Sequence, residues 1–221
     1  QMNLEKTLTI ADIVSSNIKS AHVFKKFGID FCCGGGITIE KACTKYNINI
    51  EILLQELKNL DDSQTYLQNY NLWELDFLID YIINNHHNYV KLALPMIDEY
   101  ATKVSKVHGA AYPEVVQIEH LFKQVAEELK AHMNKEELVL FPYIKKCVGS
   151  KKTHSENPIP PFGTILNPIH MMQQEHEQVG NMLKEIAQLS NYFIPPIGAC
   201  NTFKALYSKL DEFEQDLHIH V

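Results

Sequence analysis

His132 and Glu136 stand four residues apart in the run His132-Met133-Asn134-Lys135-Glu136. On an α-helix that spacing puts both side chains on one face, about 6 Å apart along the axis. Further histidines lie in other segments with helical hydrophobic spacing: the His86-His87 pair upstream, and His176 and His220 downstream. Imidazoles and carboxylates converging inside a helical bundle are how carboxylate-bridged metal sites are built. The spacing therefore points to a metal site before any other property of the chain is considered.

The surrounding pattern is helical throughout. Thr9 reads as an N-cap, and apolar positions from Ile10 to Phe27 lead to a stop at Gly28. The glycines Gly34, Gly35 and Gly36 forbid a regular helix, and two short helices are expected near 38–46 and 49–60. Asp61-Asp62-Ser63-Gln64 is a polar break. It divides a small N-terminal helical domain (1–62) from a second domain (70–221). Asn71 and Glu74 resemble a capping arrangement for the next helix. Leu75, Leu78, Ile79, Ile82, Ile83, Val90, Leu94 and Ile97 then mark a broad apolar face as far as about residue 106. Pro95 should kink this helix, and Pro142 should bend or end its successor, expected near 113–148. A loop over 149–166 and helices from 167 to 191 and from 197 onward complete the pattern. The fold class is all-α, with four long amphipathic segments forming an antiparallel four-helix bundle.

Composition narrows the function. The chain has 221 residues, 45% hydrophobic and 21% charged, as in an ordinary globular protein. Its net charge is −7 and it contains no arginine, which argues against nucleic-acid binding. No apolar run is long enough to span a bilayer, and no basic-then-apolar leader opens the chain. Five cysteines without framework spacing argue against a disulfide scaffold and fit a reducing cytoplasm.

The residues alone leave several assignments open. His132 and Glu136 also suit a solvated face, although Leu129, Met133, Leu140 and Phe141 surround them with apolar neighbours. Helical phase relative to Ile79, Val90 and Ile97 favours His86 over His87 as inward-facing. The pattern does not choose between His218 and His220. His108, before Gly109, suits a helix C-terminus as a capping cation. Cys32-Cys33 reads either as a redox or metal-handling thiol pair or as small residues in a turn. Cys43, Cys147 and Cys200 read as structural.

Several motifs together resemble one family. Gly28-Ile29-Asp30-Phe31-Cys32-Cys33-Gly34-Gly35 is similar to the amino-terminal motif of the iron–sulfur cluster repair di-iron proteins, the YtfE, Ric or ScdA family. His132-Met133-Asn134-Lys135-Glu136-Glu137 before Leu140-Phe141-Pro142 resembles its hemerythrin-like ligand motif. Lys106-Val107-His108-Gly109, Glu175-His176-Glu177 and Pro195-Pro196-Ile197-Gly198-Ala199-Cys200-Asn201-Thr202 resemble it too. The resemblance covers nearly the whole chain. It implies a hemerythrin-like bundle whose cofactor is two non-haem iron ions in an oxo/carboxylate-bridged centre. Carried over residue by residue, it gives His87, His132, His176 and His220 as ligands and Glu136 as a bridging carboxylate. It selects His87 over His86. It also implies a second bridging glutamate four residues after His220, beyond Val221.

The function implied is repair of iron–sulfur clusters damaged by nitrosative or oxidative stress, by supplying iron. Cys32 and Cys33 would be transfer thiols, and Glu128 and Glu175 would support the ligands. The partners implied are damaged iron–sulfur proteins or their assembly machinery, nitric oxide or oxygen as small ligands, and a second copy of the chain in a homodimer. The rival readings are a di-iron enzyme processing nitric oxide or nitrite, and a hemerythrin-like module sensing oxygen or nitric oxide.

Overall fold

The computed structural model describes residues 7–31, 35–60 and 70–220. Cys32 and Cys33 lie outside the described residues. The chain groups into two compact units, one reaching to Glu74 and the other running from Leu75 to His220. Among the described residues the elements are helical, apart from an isolated antiparallel bridge between Thr9 and Thr38.

The first unit contains α1 (Ile10–Ser16), α2 (Ser20–Lys26), α3 (Ile39–Tyr46) and α4 (Ile50–Lys58). Thr9 caps α1 through a reciprocal box: its hydroxyl accepts from the Asp12 backbone N–H, and the Asp12 carboxylate accepts from the Thr9 backbone N–H. The single helix expected to reach Phe27 is instead two. Asn17 adopts an extended backbone between them, and its Oδ1 accepts the Lys19 N–H at 3.1 Å. This local side-chain bond competes with helix continuation, which apolar spacing cannot reveal. Gly28 ends α2's turn at φ +70°. Gly35 is needed for contact, since a Cβ there would lie 2.4 Å from the Phe31 carbonyl oxygen. Its own carbonyl accepts the Ala11 N–H. Ile10, Ile13, Phe24, Ile39, Leu53 and Leu57 form the core of this unit. Asn71, expected as a cap, instead donates its side-chain N–H to Ser15 Oγ.

The second unit starts with α5 (Leu75–Tyr81), which runs through a π-helical turn (Ile82–His87) into α6 (Asn88–His108). After a short link come α7 (Glu114–Lys135), a second π-helical turn (Glu136–Leu140) and α8 (Phe141–Lys152). α9 (Leu166–Leu189) and α10 (Asn201–His220) complete the four long helices. Pro95 lies within α6 without ending it. Contacts pair the end of α6 with the start of α7, where Thr102 Oγ1 donates to Glu119. They also pair the start of α6 with the end of α10, where His86 meets Asp216. Both neighbours of α6 are therefore antiparallel to it.

The bundle core tracks the apolar stripes: Val90, Ile97 and Val104 from α6; Ile118, Phe122, Val125 and Leu129 from α7. α9 adds Val179, Leu183 and Ile186, and α10 adds Phe203, Leu206, Leu210, Phe213 and Leu217. Phe213 is fully buried and meets the edge of Phe122 with ring centroids 5.7 Å apart. Phe213→Ala should destabilise the second unit by about 3–5 kcal/mol, from lost transfer energy and the cavity left behind. Denaturant unfolding of the two proteins checks this.

Candidate metal centre

Two π-helical turns, rare in proteins and frequent at functional sites, carry the centre's key residues. In the first, Asn84 and Asn85 donate their side-chain amides to the Asp80 and Tyr81 carbonyls, and Asn88 donates to the Asn84 carbonyl. These bonds take up acceptor capacity that the widened turn redirects. The second lies against Pro142, which has no N–H for the carbonyl four residues before it. The wider turn absorbs that interruption and the helical run continues. Each π turn shifts the helical phase, so residues on either side of it do not keep to one 3.6-residue stripe.

His87 and Glu136 are thereby brought together. His87 comes from the π turn that leads into α6, His132 from the end of α7, His176 from within α9 and His220 from the end of α10. Glu136 stands at their centre, with its Oε2 3.1 Å from His87 Nε2 and 3.4 Å from His132 Nε2. Two sets of donors result: His87, Glu136 and His220, and His132, Glu136 and His176. Within each set the ligand atoms all lie within 4.8 Å of one another, and Glu136 belongs to both. The His220 ring is 5.1 Å from that of His87 and 6.0 Å from that of His176. Phe141 stacks on His87 with centroids 5.8 Å apart.

The outer nitrogens of two imidazoles are held by carboxylates. His87 Nδ1 donates to Glu137 Oε1 at 2.8 Å, and Lys91 Nζ donates to the same oxygen at 2.7 Å. His132 Nδ1 donates to Glu175 Oε2 at 2.9 Å, while Lys135 binds the other oxygen of Glu175. An ionised carboxylate only accepts, so each bond puts a proton on Nδ1 and directs Nε2 toward Glu136.

Electrostatics keep these carboxylates charged. Burial pushes Glu136 up, but the facing imidazoles of His132 and His87 outweigh it and hold the carboxyl far below its usual range. Burial likewise pushes Glu175 up, and Lys135 with His132 outweighs it, leaving the carboxyl lowered. Glu137 is lowered in the same way, by Lys91 and His87 against burial. Burial, reinforced by His132, lowers His176 to about 4. Burial lowers His220 to about 3, with Glu136 opposing and His87, His176 and His86 adding to the effect.

This donor arrangement fits a bound cation. His87 Nε2, Glu136 Oε2 and His220 Nδ1 are buried without a well-directed hydrogen bond among the described residues, although His87 Nε2 and Glu136 Oε2 lie 3.1 Å apart. Unpartnered buried polar atoms are costly. His132 Nε2 and His176 Nε2 face each other at 2.9 Å, a separation that needs a proton or a cation between them. Imidazole nitrogen with carboxylate oxygen suits iron and its first-row neighbours.

His87, His132, Glu136, His176 and His220 thus lie together, and Glu175 reaches His132. His86, which helical phase favours as inward-facing, is buried as His87 is, but it belongs to neither donor set: its Nδ1 faces Asp216 at 3.3 Å, and its ring stacks on His220. The π turn just before α6 is the reason, because a uniform 3.6-residue count runs straight through it. His218 is not in either donor set. Glu128 is exposed rather than turned to the cluster. The carboxylate on the His87 imidazole is Glu137, which the spacing did not single out. His108 does not simply cap a helix end: its Nε2 lies 3.2 Å from Sγ of the exposed Cys200.

An all-helical bundle with imidazoles and a shared carboxylate at one end defines a class of cation-binding four-helix proteins. Residues 78–221 match the hemerythrin HHE cation-binding domain, and residues 6–61 match the ScdA N-terminal domain, described as a domain of unknown function. The iron–sulfur cluster repair protein ScdA of Staphylococcus haemolyticus (strain JCSC1435) is 32% identical over 213 residues, covering 96% of this chain and 91% of that one. The iron–sulfur cluster repair protein YtfE of Yersinia pseudotuberculosis serotype IB (strain PB1/+) is 35% identical over 207 residues, covering 92% and 87%. YtfE of Yersinia pestis (strain Pestoides F) matches to the same extent. The chain belongs to the ScdA/YtfE family of iron–sulfur cluster repair proteins, with the hemerythrin-type domain as its second unit. No helix among the described residues is long and apolar enough to cross a membrane.

The depressed imidazoles of His176 and His220 set a pH dependence for the metal-free chain. As pH falls below about 6.5 the unfolded chain takes up these protons and the folded chain does not, so stability falls. The window extends down to about 4 for His176 and about 3 for His220. His132, raised overall because Glu136 and Glu175 outweigh its burial, acts in the opposite sense and offsets part of the loss. Thermal unfolding of chelator-treated protein should show a lower midpoint at pH 5 than at pH 7. A His176→Gln/His220→Gln variant should flatten that slope.

Proposed function

We propose that this protein binds two iron ions, one in each donor set, and supplies iron for the repair of damaged iron–sulfur clusters. The observation that carries this reading is the pair of three-donor sets sharing Glu136. His87 and His220 would hold one ion, His132 and His176 the other, and Glu136 would bridge them. Bound there, the iron pair supplies one-electron redox chemistry at a site walled by Phe141 and the bundle core. The chain's own residues do the rest. Glu136 brings a full negative charge into a buried site, and the depressed imidazoles of His176 and His220 add donors without adding charge. Phe141 keeps water from one face of His87.

The family relationship supports repair as the purpose, since the relatives are named as iron–sulfur cluster repair proteins. Iron on this reading is cargo, and the recipient is a damaged iron–sulfur protein or its assembly machinery. Cys32 and Cys33 are proposed as the thiols that receive iron or meet the recipient. The reducing cytoplasm, which keeps thiols free, is the proposed compartment.

Anaerobic loading with ferrous iron and then metal analysis tests the site. The wild-type chain should retain about two irons, as expected for two donor sets. Glu136→Ala should lose both, because both sets share that carboxylate. A wild-type chain that retains no iron would overturn the reading. The delivery step is tested separately, by mixing iron-loaded protein with a cluster enzyme inactivated by nitric oxide. Cys32→Ala/Cys33→Ala should load iron normally yet restore little activity; full restoration would rule out the thiols as the route.

A further inference from the structure

On the two-metal reading each ion has its own pair of imidazoles. His87 occurs only in the donor set with His220, and His132 only in the set with His176. Each of these two imidazoles also has its own outer carboxylate. Glu137 comes from the π turn and touches His87, whereas Glu175 comes from α9 and touches His132. Each carboxylate is held in turn by its own lysine on α6 or α7, Lys91 or Lys135. The two chains of contact, His87–Glu137–Lys91 and His132–Glu175–Lys135, have no residue in common. Among the described residues, Glu136 is the one ligand that both donor sets share.

We infer, resting on that two-metal reading, that Glu137 and Glu175 are positioning residues that each govern one metal position, so that one ion can leave while the other stays. A carboxylate drawing on the Nδ1 proton fixes the ring and makes Nε2 a stronger donor. Replacing it by an amide of the same shape keeps an acceptor oxygen but removes the charge that strengthens the ligand. The effect is confined to the position served by that ring, because the neighbouring ring has its own carboxylate. For a protein that hands iron on, this arrangement separates the ion to be delivered from the ion that keeps Glu136 and the remaining imidazoles in place.

The test records iron leaving the full chain. Wild-type, Glu137→Gln, Glu175→Gln and doubly substituted proteins are loaded anaerobically with ferrous iron and mixed with excess ferrous chelator, and the coloured chelate is measured over time. In each single variant about half of the iron should leave roughly ten-fold faster than in the wild type, with the other half at the wild-type rate. In the double variant all of it should leave faster. Acceleration of all the iron alike in a single variant, no acceleration, or a double variant that still holds half at the wild-type rate would each overturn the inference. Glu137→Ala and Glu175→Ala carry the same expectation and keep the test open should a glutamine variant fold poorly; thermal unfolding of the iron-free proteins identifies that case. A wild-type chain that takes up no iron overturns the two-metal reading and this inference together. Two irons with undivided release overturn this inference alone.

Discussion

The metal centre depends on one buried charge. Glu136 is an ionised carboxylate set at the end of an apolar bundle, where an isolated anion would be prohibitively costly. What surrounds it compensates. Imidazoles from the π turn before α6 and from α7, α9 and α10 turn toward it, carboxylates stand behind two of those imidazoles, and lysines stand behind the carboxylates. Hydrogen-bond acceptors and donors therefore alternate outward from the centre to solvent. Breaking any layer leaves its neighbour facing the wrong partner, so the polar cluster demands that the four helices arrive in one register.

The rest of the bundle supplies the rigidity that this demands. Phe122, Phe213, Leu210 and Ile97 fill the interior below the cluster without a polar atom among their side chains. Close packing of this kind leaves little freedom for helices to slide. The histidines can then be carried on ordinary helix positions and still meet within a few ångströms. Phe141 joins the two regimes: it belongs to the small apolar cluster with Ile79, Leu140 and Met172, and it stacks on a ligand-bearing ring.

Much of this was legible in the sequence, for identifiable reasons. The long helices announce themselves through apolar spacing, and His132 with Glu136 is visible because four residues is nearly one helical turn. His87 was not readable from phase, because the π turn breaks the count between Ile79 and Val90; only the family resemblance selected it. Glu137 escaped for a related reason. On a regular helix the residue after Glu136 points about 100° away from it, yet the second π turn lets both serve the same centre. Glu128 shows the reverse error, since a position one turn from a ligand is not thereby turned toward it. The contact between His108 and Cys200 joins residues 92 apart and leaves no local trace. The break at Asn17 rests on a single side-chain hydrogen bond, which hydrophobic pattern cannot carry.

The π turns also bear on which changes the chain tolerates over evolutionary time. Each is equivalent to one residue inserted into a helix that otherwise keeps its course. Losing one residue from Ile82–His87 or Glu136–Leu140 would restore regular α-helix, locally the better-bonded form, and would leave chain length and bundle topology almost untouched. It would also rotate everything on one side of the deletion by about 100° relative to the other, taking His87 away from Glu136 or Glu137 away from His87. In an alignment of relatives, single-residue gaps in these two short stretches would therefore be marks of a lost metal centre, while gaps of similar size in the loop between α8 and α9 would carry no such meaning.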